Sequence, residues 1–313
     1  MLALSLLVSV LAASDWKPPS TKNWVEARSK HFVVVSSAGA SRTTKIAVQL
    51  ERFRLSLARI SKGFTLDDQV PTTILVFRND GELLPYKLDA DGVALNVSGY
   101  FQPGSFRNFV ALDASAGSSP MRVVYHEYFH AVMRASLGDL PLWLNEGLAE
   151  YFSTFKTEDL GAVVQVGHPI EEHVALLQQS GMIDWSEVFS TTTRSRTYNE
   201  RSRQGPFYAQ SWLAVHYLNA SDERTKALGR YLTLLRSGSD PDQAFETALG
   251  TTRAAFATAV TAYGKQGGSN YVWWDLGEDA AKADVAVREL PPGEVLLRLG
   301  ELQAHRGRRE DAG

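Results

Sequence analysis

Residues 123–133, VVYHEYFHAVM, set His126 and His130 four apart in a run that is otherwise mostly apolar. That spacing of apolar residues favours an amphipathic helix, and a charged or polar side chain buried on such a helix has to meet a partner. Positions four apart on an α-helix lie about 40° apart on one face, one turn from each other. Two imidazoles so placed can reach one cation at roughly 2.0–2.1 Å from each nitrogen. Glu127 is rotated off that line and can reach a water beside the ion. Zinc lowers the pKa of such a water towards about 7, and a carboxylate can take its proton as it attacks a carbonyl. The same pattern also suits a half-buried helix whose histidines are satisfied structurally, so the motif needs a third ligand to decide it.

The flanks define the helix. Ser119 is a suitable N-cap, Pro120 a suitable first helical residue and Gly138 a suitable C-cap. A short turn then leads to WLNEGLAEYF, a second amphipathic helix on which Glu146 and Glu150 share a face. A catalytic zinc takes three protein ligands and keeps one open position, and either glutamate can complete the set.

Upstream the pattern is different. HFVVVSS (31–37) and TTILVFR (72–78) read as strands, as do GVALNVSGYFQPG and FRNFVALDA, which a Pro-Gly turn separates. Ile46, Leu50, Phe53, Leu57 and Ile60 keep helical spacing between the first two strands. Downstream, GPFYAQSWLAVHYLN, ERTKALGRYLTLLRSG and DPDQAFETALG read as helices. Strands followed by helices predict an α+β chain. An N-terminal α/β lobe is expected over 15–118 and a helical catalytic lobe over 119–265, with the active-site helix between them and a cleft at their junction. Residues 266–290 read as a linker. Residues 291–313 read as one helix with the Leu296, Leu299, Gly300, Ala304 spacing of a tetratricopeptide repeat. A lone repeat cannot bury its own apolar face, so it either docks on the catalytic domain or belongs to a longer array.

Composition narrows the function. A net charge of −3 gives no electrostatic footprint for nucleic acid or anionic lipid, and the absence of cysteine excludes disulfides, thiolate metal ligands and a thiol nucleophile. MLALSLLVSVLAAS (1–14) is an apolar run ending in small residues and reads as a signal peptide, although it lacks a basic start. The expected location is therefore periplasmic or extracellular, with no membrane-spanning segment after cleavage. Asn96-Val97-Ser98 matches a glycosylation sequon.

The paired motifs, H-E-x-x-H followed by WLNEGLAEYF, resemble the gluzincin metallopeptidases. The LNEG segment is similar to that around the zinc glutamate of the aminopeptidase N group, although the 15-residue spacer is shorter than is usual there. The region from NWVEARSKHFVVVSS to YAQSWLAVHYL is similar to bacterial peptidase-MA-like proteins, which are often exported and often fused to tetratricopeptide repeats. The resemblance implies a zincin-like fold and one Zn2+ held by His126, His130 and Glu146, with Glu127 as general base. Glu150 then fits behind the ligands, holding the other ring nitrogen of one of them, most simply His126. It further implies a tyrosine that stabilises the oxyanion. Tyr208, two residues after Pro206 at an expected helix start, lies at the family's distance, and Tyr198 is the alternative. The GxMEN strand of the aminopeptidases has no counterpart here, which favours an endopeptidase. FRNFVALD is the expected edge strand for an extended peptide or protein substrate.

Two other functions fit the same residues: a zincin-fold binding module with the repeat as its docking piece, and a zinc hydrolase of a non-peptide amide or ester. His168 and His173, in VGHPIEEH, invite a second metal site, but a proline between them disfavours it. His31 and His216 read as structural, and Trp143 and Leu144 as core. The basic stretch 191–205 reads as a lid or as a surface loop.

Overall fold

The computed structural model describes residues 20–60, 66, 71–87, 89–90, 93–94, 98–102, 104, 106–116, 119–158, 162–199, 201–267, 270–277 and 283–306. The expected signal peptide and Asn96 and Val97 of the sequon lie outside them. Along the chain run β1 (Val25–Arg28), β2 (Val33–Ser36), α1 (Ala40–Ile60), β3 (Thr72–Phe77), α2 (Asp80–Leu83), β4 (Asp89–Ala90), β5 (Val93–Ala94), β6 (Gly99–Gln102) and β7 (Asn108–Asp113). Then follow α3 (Ser119–Leu137), α4 (Leu142–Ser153), β8 (Lys156–Glu158), β9 (Val163–Val166), α5 (Glu171–Ser180), α6 (Trp185–Ser190) and α7 (Arg196–Asn199). The last elements are α8 (Arg201–Leu218), α9 (Asp222–Arg236), α10 (Pro241–Leu249), α11 (Arg253–Lys265), β10 (Val272–Asp275), β11 (Ala286–Glu289) and α12 (Pro292–Arg306). The chain is mixed α/β, with helix in excess.

Six strands form one mixed sheet in the order β11-β1-β2-β3-β7-β6, parallel across β2-β3-β7 and antiparallel elsewhere. Its central strands are apolar at nearly every position because both faces are covered. Val34, Ile74, Val76, Val110 and Leu112 point to the larger core, with Leu50, Phe53 and Leu57 of α1 and Tyr125, Tyr128 and Phe129 of α3. Their neighbours Val35, Leu75, Phe77, Phe109 and Ala111 point to a second core on the other side. That second core is closed by Val295, Leu299 and Leu302 of α12. Each such buried side chain contributes about 1.5–3 kcal/mol relative to exposure.

Two expectations change here, and one of two open alternatives is met. Residues 266–290 are not simply a linker, because β10 pairs with β9 and β11 pairs with β1. Buried Glu26 of β1 binds Arg288 of β11 at 3.2 Å, which fixes that edge. The C-terminal helix docks on the sheet, with Leu299 buried and Leu296 turned outward. FRNFVALD is not the edge strand: β7 lies between β3 and β6, so β6 is the edge. The helix ends follow local rules more closely. The Gly138 N–H bonds back to the Arg134 carbonyl at 3.3 Å, and Gly138 adopts φ +70°, where glycine is favoured. Among the described residues, no helix is long and apolar enough to cross a membrane.

Candidate metal centre

Helix α3 packs against β6 and β7 on one side and against α4 on the other. Trp143 and Leu144 are fully buried and seal α4 in place, as expected of them. Gly147, directly after Glu146, is needed for close approach. A Cβ there would lie 2.3 Å from the Ser211 carbonyl oxygen of α8. The glycine thus lets α4 rest on the backbone of α8, which brings α3, α4 and α8 to one point.

At that point three ligand atoms meet. His126 Nε2 and His130 Nε2 are 3.0 Å apart. Glu146 Oε2 is 3.3 Å from the first and 3.2 Å from the second. Bonds of 2.0–2.1 Å arranged tetrahedrally give ligand–ligand edges of roughly 3.3 Å, so the triangle has the size of one face of a tetrahedral site. Among the described residues this is the one group of three or more such side chains able to hold an ion.

The outer nitrogens set the tautomers. His126 Nδ1 is 3.4 Å from Glu150 Oε1, and His130 Nδ1 is 3.2 Å from Asn145 Oδ1. His130 Nδ1 is hydrogen-bonded to Asn145, and His126 Nδ1 faces the Glu150 carboxylate without an aligned bond; an N–H on each Nδ1 leaves a lone pair on each Nε2. Two lone pairs and a carboxylate oxygen then face one another within about the diameter of a small ion, an arrangement that requires a cation or a proton between them. The titration behaviour expresses the same demand. Burial alone would push the His126 pKa down, but its bond to Glu146 and the charges of Glu150 and Glu127 raise it to about 9. Burial would raise the Glu146 carboxyl, but the two histidines hold it at about 2.

Glu127 stands beside this cluster and accepts no hydrogen bond from any described residue. Burial raises its pKa, assisted by Glu146 and Glu150 and opposed by the two histidines. Glu150 lies on the Nδ1 side of His126, and it also meets Arg122 Nη2 at 3.4 Å and His173 Nε2 at 3.3 Å.

The tyrosines come from α7 and α8. The Tyr198 hydroxyl donates to Glu146 Oε1, the oxygen turned away from the triangle, at 3.2 Å. The Tyr208 hydroxyl donates to that of Tyr198 at 3.4 Å, and its ring centre is 6.2 Å from that of His126. Burial and the nearby carboxylates push the Tyr208 pKa far up, so it remains a neutral donor. Tyr208 is not at a helix start: α8 begins at Arg201 and takes Pro206 into its body. The stretch 191–205 accordingly carries α7 and the first turn of α8. Arg203 pairs there with Glu187 at 2.6 Å.

The remaining histidines are placed elsewhere. His168 bonds to Gln165 at 2.8 Å and stacks on Tyr271, while His173 faces Glu150, so they share no ion. His31 precedes β2 and binds Glu51 at 2.7 Å. His216 is buried between the Tyr263 hydroxyl and the Gly167 carbonyl. Sequence reasoning missed Asn145 and Arg122. Asn145 could have been found, since it directly precedes Glu146 on the face that meets α3.

A comparison with known protein families finds one described as a protein of unknown function (DUF1570) that matches residues 123–241. The match is less than half of the chain. It begins three residues before His126 and spans Glu127, His130, Glu146, Glu150, His173, Tyr198 and Tyr208. No curated protein matches the chain.

Proposed function

We propose that this chain is a zinc-dependent peptidase of gluzincin type that cuts within a peptide. The observation that carries the reading is the triangle of His126 Nε2, His130 Nε2 and Glu146 Oε2, with edges of 3.0–3.3 Å, and beside it the Glu127 carboxylate, which no described residue bonds. A zinc ion bound there would supply a Lewis acid that polarises water and the substrate carbonyl. Glu127 takes the proton of the attacking water and passes it to the departing amine. Its raised pKa in the metal-free protein brings it towards the range where it can do both. Tyr208 donates to the oxyanion that develops on the carbonyl, after turning its hydroxyl from Tyr198. Tyr198 stays on Glu146 and steadies the ligand.

Substrate geometry supports an endopeptidase. Among the described strands β6 is the sheet edge beside α3, and an extended peptide can pair along such an edge. The acidic side chain on β6 and β7 is Asp113, which is taken up by the Ser115 N–H and hydroxyl, both at 2.7 Å. Asp113 is 4% exposed, so its carboxylate is turned away from any substrate amine.

Metal analysis of purified protein, followed by mass spectrometry of a digested peptide library, tests the proposal. It expects about one zinc per chain and internal cleavage products that vanish with a chelator and return with zinc. Protein with an intact fold and no zinc uptake would overturn it.

A further inference from the structure

We infer that His173 is a positioning residue for the metal centre, acting through Glu150 on His126. The inference rests on the metal-site reading above. His173 belongs to neither the H-E-x-x-H helix nor the Glu146 helix. It sits in the first turn of α5, which packs on α8.

Glu150 stands between the two histidines. Its side chain is 13% exposed, so its charge is largely cut off from water and has to be met by fixed donors. Its two oxygens are divided between tasks. Oε1 faces His126 Nδ1 at 3.4 Å, while Oε2 faces His173 Nε2 at 3.3 Å and Arg122 Nη2 at 3.4 Å. A carboxylate is planar, so fixing Oε2 also fixes Oε1. The position of Oε1 in turn sets the tautomer and tilt of His126, and hence where its Nε2 points.

Arg122 and His173 are unequal as anchors. Arg122 is 33% exposed and shares its guanidinium with Glu172, whose side chain is 79% exposed. Its Nη2 donates a hydrogen bond to Glu150 Oε2 at 3.4 Å, but solvent screens a guanidinium so exposed. His173 is 14% exposed and rests against the Trp212 ring at 5.9 Å between centres. Its Nε2 is buried, forms no aligned hydrogen bond among the described residues, and lies 3.3 Å from Glu150 Oε2. A buried ring nitrogen without a hydrogen bond, facing a buried carboxylate at 3.3 Å, calls for a specific task. Trp212 lies one turn beyond Tyr208 on α8, so the helix that presents Tyr208 also braces His173.

The test uses zinc affinity, measured by competition with a chelator, in four variants of the full chain. His173→Phe keeps the ring and its packing on Trp212 but loses the donor, whereas His173→Gln keeps a donor. Glu150→Gln and the His173→Phe/Glu150→Gln double variant complete the cycle. The account expects His173→Phe to weaken zinc binding by about 10- to 100-fold and His173→Gln by less than about threefold. Glu150→Gln should weaken it by at least as much as His173→Phe, and the double variant no more than Glu150→Gln alone. Wild-type affinity in His173→Phe would overturn the inference while leaving the metal site standing. Equal losses in the Phe and Gln variants would also overturn it, because packing rather than the donor would then be responsible. So would losses that multiply in the double variant. A wild-type chain that takes up no zinc would remove the metal-site reading and this inference together.

Discussion

Replacing Glu146 by glutamine removes the one anion from the ligand triangle while keeping its size. Four-ligand structural zinc sites bind with roughly 10–16 kcal/mol, or about 2.5–4 kcal/mol for each ligand. At about 1.36 kcal/mol per decade, losing one ligand weakens binding by roughly 100- to 1,000-fold. The change should remain local. Tyr198 can still donate to the amide oxygen that replaces Oε1, and the Gly147–Ser211 contact that seats α4 is untouched. The assay is competition with a chelator of known zinc affinity at pH 7.5, with circular dichroism to verify the fold. An affinity within about threefold of wild type would refute the reasoning, since Glu146 would then not be a ligand.

The site makes three further predictions. Tyr208→Phe should lower kcat by about 100- to 1,000-fold with zinc content unchanged, whereas Tyr198→Phe should chiefly weaken zinc binding; steady-state kinetics with metal analysis separates them. Zinc uptake should release a proton, because His126 holds one with a pKa of about 9 in the metal-free protein. Apparent affinity then rises about tenfold per unit between pH 6.5 and 8.5. The metal-free fold behaves oppositely: the stability this raised pKa contributes is full below 6.5 and is lost as pH rises through 9. Calorimetry in buffers of different ionisation enthalpy, with melting of the metal-free protein across the same range, checks both signs. Gly147→Ala should destabilise the chain by about 1–3 kcal/mol, read as a lower Tm, because its Cβ would lie 2.3 Å from the Ser211 carbonyl oxygen.

Local signals in the sequence identified the elements that build the site. Ser119, Pro120 and Gly138 bracket α3, and the apolar spacing of WLNEGLAEYF marks α4, because caps and helical periodicity are decided within a few residues. The spacing of His126 and His130 and the shared face of Glu146 and Glu150 marked the two helices that meet, while the choice of Glu146 over Glu150 came from the resemblance to the gluzincins. What failed was non-local. Strand order placed β6 rather than β7 at the edge, and the pairing of β11 with β1 joins residues more than 250 positions apart. No window of sequence records either fact. Helix α5 was missed because it leaves no fully buried residue and so gives a weak apolar stripe. His173 was consequently read with His168 as a possible ligand pair, when its partner lies on α4. Pro206 signalled a helix start and was instead absorbed into α8, five residues after its first.

Glu127→Gln, loaded with one equivalent of zinc and incubated with a peptide library, tests the central claim most directly. Glu127 is bonded to no described residue, so the amide should leave the fold and His126, His130 and Glu146 undisturbed. The account predicts wild-type zinc content and a loss of internal cleavage by at least about 100-fold, as removal of a general base requires. Cleavage by this variant at the wild-type rate would contradict it.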